Sequence, residues 1–81
     1  MQQATIASYV RKHTLWQAIG GATIRMIRSI DTSIVVQLIA NGKVLATEEP
    51  TFRTYKARNE AFDRAAETGT LEFIAGTTVR A

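Results

Sequence analysis

Residues 51–69 have the pattern of an amphipathic helix, and this segment constrains what the rest of the chain can form. Between residues 54 and 67, apolar and polar side chains separate onto two halves of a helical wheel. The apolar half contains Tyr55, Ala57, Ala61, Phe62, Ala65 and Ala66; the polar half contains Lys56, Asn59, Glu60, Asp63, Arg64 and Glu67. Thr54 is suited to cap the amino terminus and Gly69 the carboxyl terminus. The pattern predicts a helix over residues 54–68 that lies flat on a sheet.

The middle of the chain supplies that sheet. Residues 22–30 are rich in β-branched side chains and alternate between the two faces of a strand. Residues 33–40 are apolar at nearly every position, as in a central strand covered on both faces, and residues 43–49 form a third strand. Asn41-Gly42 is a strong hairpin signal, because a type I′ turn needs positive φ at both central residues. Residues 71–75 would add an edge strand or pack under the helix end. We predict an α+β fold: a three- to four-stranded antiparallel sheet with the helix on one face.

The amino-terminal segment fits a helix or a strand. Its apolar side chains have the i, i+3, i+4 spacing of one helical stripe, which favours a helix over residues 3–13. The stripe consists of Ile6, Tyr9, Val10, His13 and Trp16. Residues 14–19 also fit a short strand, because Gly20-Gly21 is a hairpin-type turn. The aromatic pair Tyr9 and Trp16 has two interpretations, stacking on nucleic-acid bases and packing in the core, and we expect the core.

Length and composition limit the class of protein. The 81 residues predict a single domain, 1–81, and without cysteine the chain has neither a disulfide framework nor a thiolate metal site. No apolar run approaches the roughly 20 residues that span a bilayer, and the amino terminus lacks a signal-peptide pattern. We expect a cytoplasmic protein without membrane contact.

Chemistry-bearing residues do not form a recognisable active site. His13 is the only histidine, so a metal site is not expected. The carboxylates include no arrangement with a nucleophile and a base. We therefore predict a protein that is not an enzyme and has no cofactor, metal or small-molecule substrate.

Positive charge is concentrated in the predicted sheet. Residues 1–47 carry a net charge of +4 and residues 48–81 a net charge of −1. A basic sheet half would suit a polyanion, although a slightly basic solvated surface gives the same charge. The candidate phosphate contacts are Arg25, Arg28, Lys43, Arg53 and Lys56.

Two arginines fall on predicted apolar faces. Arg28 shares a strand face with Ile24, Met26 and Ile30, so the strand ends or bulges there, or Arg28 pairs with Glu48 or Glu49. Arg58 lies inside the apolar arc of the helix. We expect its guanidinium to reach solvent along its methylenes.

Part of the chain resembles known nucleic-acid-binding domains. Gln37, the Asn41-Gly42-Lys43 turn, the T-F-x-T start at residues 51–54 and the A-F-D-R-A-A helix at residues 61–66 resemble the AP2/ERF DNA-binding domain. That family reads DNA with arginines and a tryptophan on its first two strands. In this chain the first strand carries Arg25 and Arg28, and the second strand carries neither arginine nor tryptophan. The third strand is also longer by two residues before Thr51. The N-G-K turn and residues 56–61 are also similar to the double-stranded RNA-binding domain. The paired lysines of its helix start are missing.

Two functions follow as expectations. The first is a small non-enzymatic module that binds double-stranded nucleic acid, DNA before RNA, through the basic sheet. The alternative is a protein-binding module, such as a small phage- or plasmid-type inhibitor of a host complex, or an adaptor subunit. Its contact, with a protein partner or as a homodimer, would be the sheet face opposite the helix. That face carries Ile27, Val35, Gln37 and Ile39.

Overall fold

The computed structural model describes residues 3–73, which form two sheets and one helix. The elements in chain order are β1 (Gln3–Ile6), β2 (Ser8–Arg11), β3 (Thr14–Gln17), β4 (Ala22–Arg28), β5 (Ile34–Ala40), β6 (Lys43–Glu48), α1 (Tyr55–Thr68) and β7 (Thr70–Phe73). The larger sheet has the order β1-β4-β5-β6 and is antiparallel throughout. The smaller sheet has the order β3-β2-β7, in which β2 and β7 are parallel. The predicted α+β class is confirmed.

The core lies between the larger sheet, the smaller sheet and α1. Ile24 and Met26 of β4 and Val36 of β5 are fully buried, as are Tyr9 of β2 and, nearly so, Leu71 of β7. The helix contributes two side chains to the same cluster, Phe62 and Ala65. The smaller sheet and α1 therefore both pack on one side of the larger sheet, and the opposite side takes no part in the core.

Both ends of α1 are capped as the sequence predicts. The Thr54 side chain accepts a hydrogen bond from the Ala57 amide at 3.0 Å. Gly69 adopts φ 86°, and its amide donates to the Ala65 carbonyl at 2.8 Å. Tyr55 and Ala66, assigned to the apolar half of the wheel, are exposed, so the buried stripe is narrower than predicted.

The helix predicted for residues 3–13 is wrong, because this segment forms β1 and β2. The chain leaves the larger sheet at Ala7 and enters the smaller one at Ser8; both amides donate to the Gly69 carbonyl, at 2.7 and 3.1 Å. The bend resets the strand alternation, so Ile6 and Tyr9 are both buried three residues apart. Two strands joined at a corner thus reproduce the spacing of a helical stripe.

The turns follow their local chemistry, though not always the predicted pairing. Asn41 and Gly42 both have positive φ and join β5 to β6 as predicted. Gly20 and Gly21 also have positive φ, but they join β3 to β4, which belong to different sheets. The hairpin expected there is therefore wrong.

The carboxyl-terminal strand confirms one of the two predictions for its segment. β7 is an edge strand of the smaller sheet, paired with β2; the predicted residues 74 and 75 lie outside the described residues. In the part of the chain that the structure describes, no helix combines the length and apolarity needed to cross a membrane.

Candidate functional site

The side of the larger sheet that faces away from the core is a continuous surface, called here the outer face. Strand register places ten side chains on it. They are Gln3, Thr5, Thr23, Arg25, Ile27, Val35, Gln37, Ile39, Val44 and Thr47. All ten are partly or fully exposed, and none belongs to the core cluster or packs against it.

The four residues predicted for a protein contact lie together on the outer face. Ile27 is opposite Val35 across β4 and β5, and Gln37 and Ile39 follow on β5. The interpretation of β5 as a strand covered on both faces is not met within residues 3–73, because Val35 and Ile39 remain partly exposed. The predicted contact residues thus form a single patch.

Sequence reasoning missed Val44, which extends this patch onto β6. Val44 is opposite Ile39 and is 49% exposed. The signal was present, because counting back from the Asn41-Gly42 turn pairs Lys43 with Ala40 and hence Val44 with Ile39. A bulge follows at once, with a register shift between Leu38 and Ile39.

A hydrogen-bonded pair lies at the centre of the outer face. Arg25 Nε and Nη2 both donate to Gln37 Oε1, at 3.1 and 2.6 Å. Thr5 flanks Arg25 on β1 and Thr47 flanks Gln37 on β6. We call these four residues the central row. The Ile27–Val35 pair lies on one side of it and the Ile39–Val44 pair on the other.

The charges of the described residues are unevenly distributed. Arg25 is the only charged member of the outer face, which carries no carboxylate. Three exposed carboxylates, Glu60, Asp63 and Glu67, lie on α1, on the core side of the larger sheet. A partner approaching the outer face would therefore meet a single positive charge and no negative one.

The five predicted phosphate contacts do not share one surface. Arg25 is on the outer face, whereas Arg28 ends β4 on the core side. Arg53 and Lys56 are exposed beside the start of α1. Lys43 follows the β5–β6 turn at the opposite end of the larger sheet from Arg28. The two residues are about 20 Å apart, because six residues of β5 separate their partners Ile34 and Ala40.

Arg28 satisfies one of the conditions stated for it. The strand ends at this residue, and its guanidinium carbon lies 5.0 Å from the centre of the Phe62 ring. Such stacking compensates a cation at a core edge. Ile30, predicted on the same strand face, lies beyond β4 and is 96% exposed, so that assignment is wrong.

Arg58 does not reach solvent, contrary to the prediction. It is 6% exposed, and its Nη1 donates to the carbonyls of Ser29, Asp31 and Ser33 at 3.0, 2.9 and 2.9 Å. The loop between β4 and β5 curls its carbonyl oxygens around the guanidinium. Arg58 therefore has a structural role, holding this loop against α1.

A polar network joins the edge strand β6 to the smaller sheet. Tyr9 Oη donates to Glu48 Oε1 at 2.9 Å, and the Thr14 hydroxyl donates to Glu48 Oε2 at 3.2 Å. Arg11 forms an ion pair with the same carboxylate at 3.4 Å. Burial and the bond to Glu48 raise the pKa of Tyr9 well above its ordinary value. Because Tyr9, Thr14 and Arg11 all bond to Glu48, we interpret this network as structural.

The aromatic pair is confirmed as part of the interior. Tyr9 is fully buried in the core, Trp16 packs against that cluster, and their ring centres are 5.1 Å apart. His13 is exposed at the turn between β2 and β3. Residues 3–73 contain no group of three or more side chains suited to hold a metal ion.

Comparisons with protein-family models, curated proteins and solved structures returned no match to the chain. The resemblances to the AP2/ERF and double-stranded RNA-binding domains therefore stay predictions.

Proposed function

We propose that this chain is a non-enzymatic protein-binding module that docks its partner on the outer face of the larger sheet. The observation that carries the proposal is the patch formed by Ile27, Val35, Ile39 and Val44, aliphatic side chains that lie outside the core and stay partly exposed. Contiguous exposed apolar surface on a small domain is characteristic of an interaction site. A small inhibitor of a host complex and an adaptor subunit would both use such a face.

The charge of the outer face favours a different protein over a second copy of this chain. Face-to-face pairing would bring two surfaces together that each carry Arg25 and no carboxylate. Like charges brought together in an interface oppose association. A partner with apolar side chains and negative charge is complementary to the face.

The test is retention of proteins from an extract of the source cells on the immobilised chain, before and after nuclease treatment. Val35→Asp and Ile39→Asp put a carboxylate on the outer face, whereas Ala66→Asp puts one on exposed helix surface as the matched control. We expect wild type and Ala66→Asp to retain the same nuclease-resistant protein, and the two outer-face variants to lose it. Equal retention by all four would remove the outer face as the binding site; thermal melts identify variants that fail to fold.

Double-stranded nucleic acid is the second candidate. Its support is the absence of carboxylates on the outer face together with the Arg25–Gln37 pair, because arginine and glutamine are side chains that recognise base edges. It ranks second since the five predicted cations do not share one surface. Binding of a random duplex at about 50 mM salt, lost in Arg25→Ala and in Arg25→Ala combined with Arg28→Ala, would favour it. No duplex binding at that salt would remove it.

A further inference from the structure

The Arg25–Gln37 pair at the centre of the row has hydrogen-bond donors whose acceptors are not supplied within the pair. Gln37 Oε1 takes both bonds from Arg25, so the acceptor atom of the Gln37 side chain is already engaged. Arginine has no acceptor atom, and the oxygen is the only acceptor of a glutamine side chain. Arg25 Nη1 and the Gln37 amide nitrogen therefore retain hydrogens that need an acceptor from outside the pair.

The surroundings of these donors select the kind of acceptor. Thr5 and Thr47 at the ends of the row carry hydroxyls, and the flanking pairs are aliphatic. A bound partner would exclude water from Arg25, and burying a cation without a compensating charge opposes binding. A carboxylate compensates the charge and accepts bonds from two nitrogens at once.

We propose that the partner places an aspartate or glutamate carboxylate on the central row, with aliphatic side chains on either side of it. This inference rests on the proposed protein-binding function and names the chemistry of the partner. Arg25 supplies the charge and Gln37 positions the guanidinium while donating a second bond. A nucleic-acid backbone fits less well, because tracking several phosphates needs several cations and the outer face has one.

The experiment uses a phage-displayed library of random linear peptides, selected on the folded wild-type chain, on Arg25→Met and on Val35→Asp. We expect wild type to enrich peptides with an acidic residue next to aliphatic ones. Arg25→Met should keep the aliphatic preference and lose the acidic one, and Val35→Asp should enrich none of these sequences.

A double-mutant cycle on one selected peptide tests the contact itself. Replacing its acidic residue by the amide should weaken binding to wild type about 10- to 100-fold, the worth of one charged hydrogen bond. The same replacement should change binding to Arg25→Met by less than about twofold, because the partner of the carboxylate is gone. Gln37→Glu should weaken the acidic peptide to a similar extent, since its carboxylate occupies the Arg25 donors and repels the incoming one.

The outcomes separate the two proposals. Peptides enriched by wild type and lost with Val35→Asp, but without any acidic preference, would overturn the carboxylate inference and leave the outer face as the docking site. No enrichment over Val35→Asp would overturn both. Binding of a fluorescent random duplex that Arg25→Met abolishes would replace the protein partner with nucleic acid.

Discussion

Arg58 is expected to be the most stabilising charged residue of the described chain, and Arg58→Met tests this. Methionine keeps much of the aliphatic stem and removes the guanidinium that three carbonyl oxygens surround. Those oxygens belong to Ser29, Asp31 and Ser33, so the substitution leaves the whole β4–β5 loop without its central donor. The loop also receives the Tyr55 hydroxyl on the Ile30 carbonyl, an exposed bond that cannot replace the buried ones.

The magnitude follows from the number of donors. Nη1 has two hydrogens for three oxygens, so at most two bonds reach full strength. A hydrogen bond to a charged group contributes about 1.5–3 kcal/mol, which gives a loss of about 3–6 kcal/mol. The relief of no longer burying a cation acts in the opposite direction, so we expect the lower end, about 3 kcal/mol. A chain of 81 residues has a total stability of about 4–12 kcal/mol, so this loss is a large part of it.

Urea unfolding, followed by far-ultraviolet circular dichroism, measures the loss. The matched control is Arg64→Met on the exposed side of α1, where a change within about 0.5 kcal/mol is expected. Arg58→Lys keeps a charge with a different donor geometry and should lose about half as much, which provides a reading where Arg58→Met does not fold. A loss below about 1 kcal/mol in Arg58→Met would refute the reasoning, because desolvation of the guanidinium would then cancel its bonds.

Two further predictions concern pH. Tyr9→Phe removes the bond to Glu48 and should cost about 1 kcal/mol near pH 7. Because the pKa of Tyr9 is raised in the folded state, wild type loses that contribution as the pH rises above about 10. The urea midpoints of wild type and Tyr9→Phe should therefore converge at high pH. A difference that stays constant with pH would contradict this. The Ser33 hydroxyl and amide hold the pKa of Asp31 below its ordinary value, so Asp31 stabilises the fold above about pH 4 and progressively less below it. Melting temperatures of wild type and Asp31→Asn should therefore differ near neutrality and converge in acid; parallel curves would contradict that.

The elements that the sequence predicts well are those fixed by local chemistry. The bounds of α1 follow from Thr54 and Gly69, which cap it through bonds within their own turns. The β5–β6 hairpin follows from Asn41 and Gly42, whose positive φ is a property of the turn itself. The outer-face patch was accessible from the same kind of pattern, since strand alternation places Val35 and Ile39 on one side of β5 and places Ile27 on the side of β4 away from Ile24 and Met26.

Arg58 escaped sequence reasoning because its environment is assembled from residues distant in the chain. The helical wheel places Arg58 correctly on the buried side, but its acceptors are carbonyls 25 to 29 residues earlier. Backbone oxygens carry no sequence signal, so a buried arginine held by them cannot be told from one that extends to solvent. The five predicted cations do not share one surface for a related reason. Their spacing along the chain does not specify which face or which end of the larger sheet each one occupies.

The amino-terminal strands depend on the rest of the fold, and this gives a last prediction. β1 pairs with β4 and β2 with β7, and the corner at Ala7 is held by the Gly69 carbonyl. Alone, the segment keeps the β2–β3 pair and the bond from the Ala18 amide to the Ala7 carbonyl beside it. The β2–β3 turn places Lys12 at φ 50°, a conformation that costs a non-glycine residue about 1 kcal/mol. A two-stranded hairpin is marginal in water even without that cost. A synthetic peptide of residues 3–19 should therefore give a disordered circular dichroism spectrum and coil-like chemical shifts at concentrations where it is monomeric. A β-strand spectrum that does not depend on concentration would show that the segment encodes its own structure. The bonds from the corner at Ala7 to the Gly69 carbonyl would then not be needed for these strands to form.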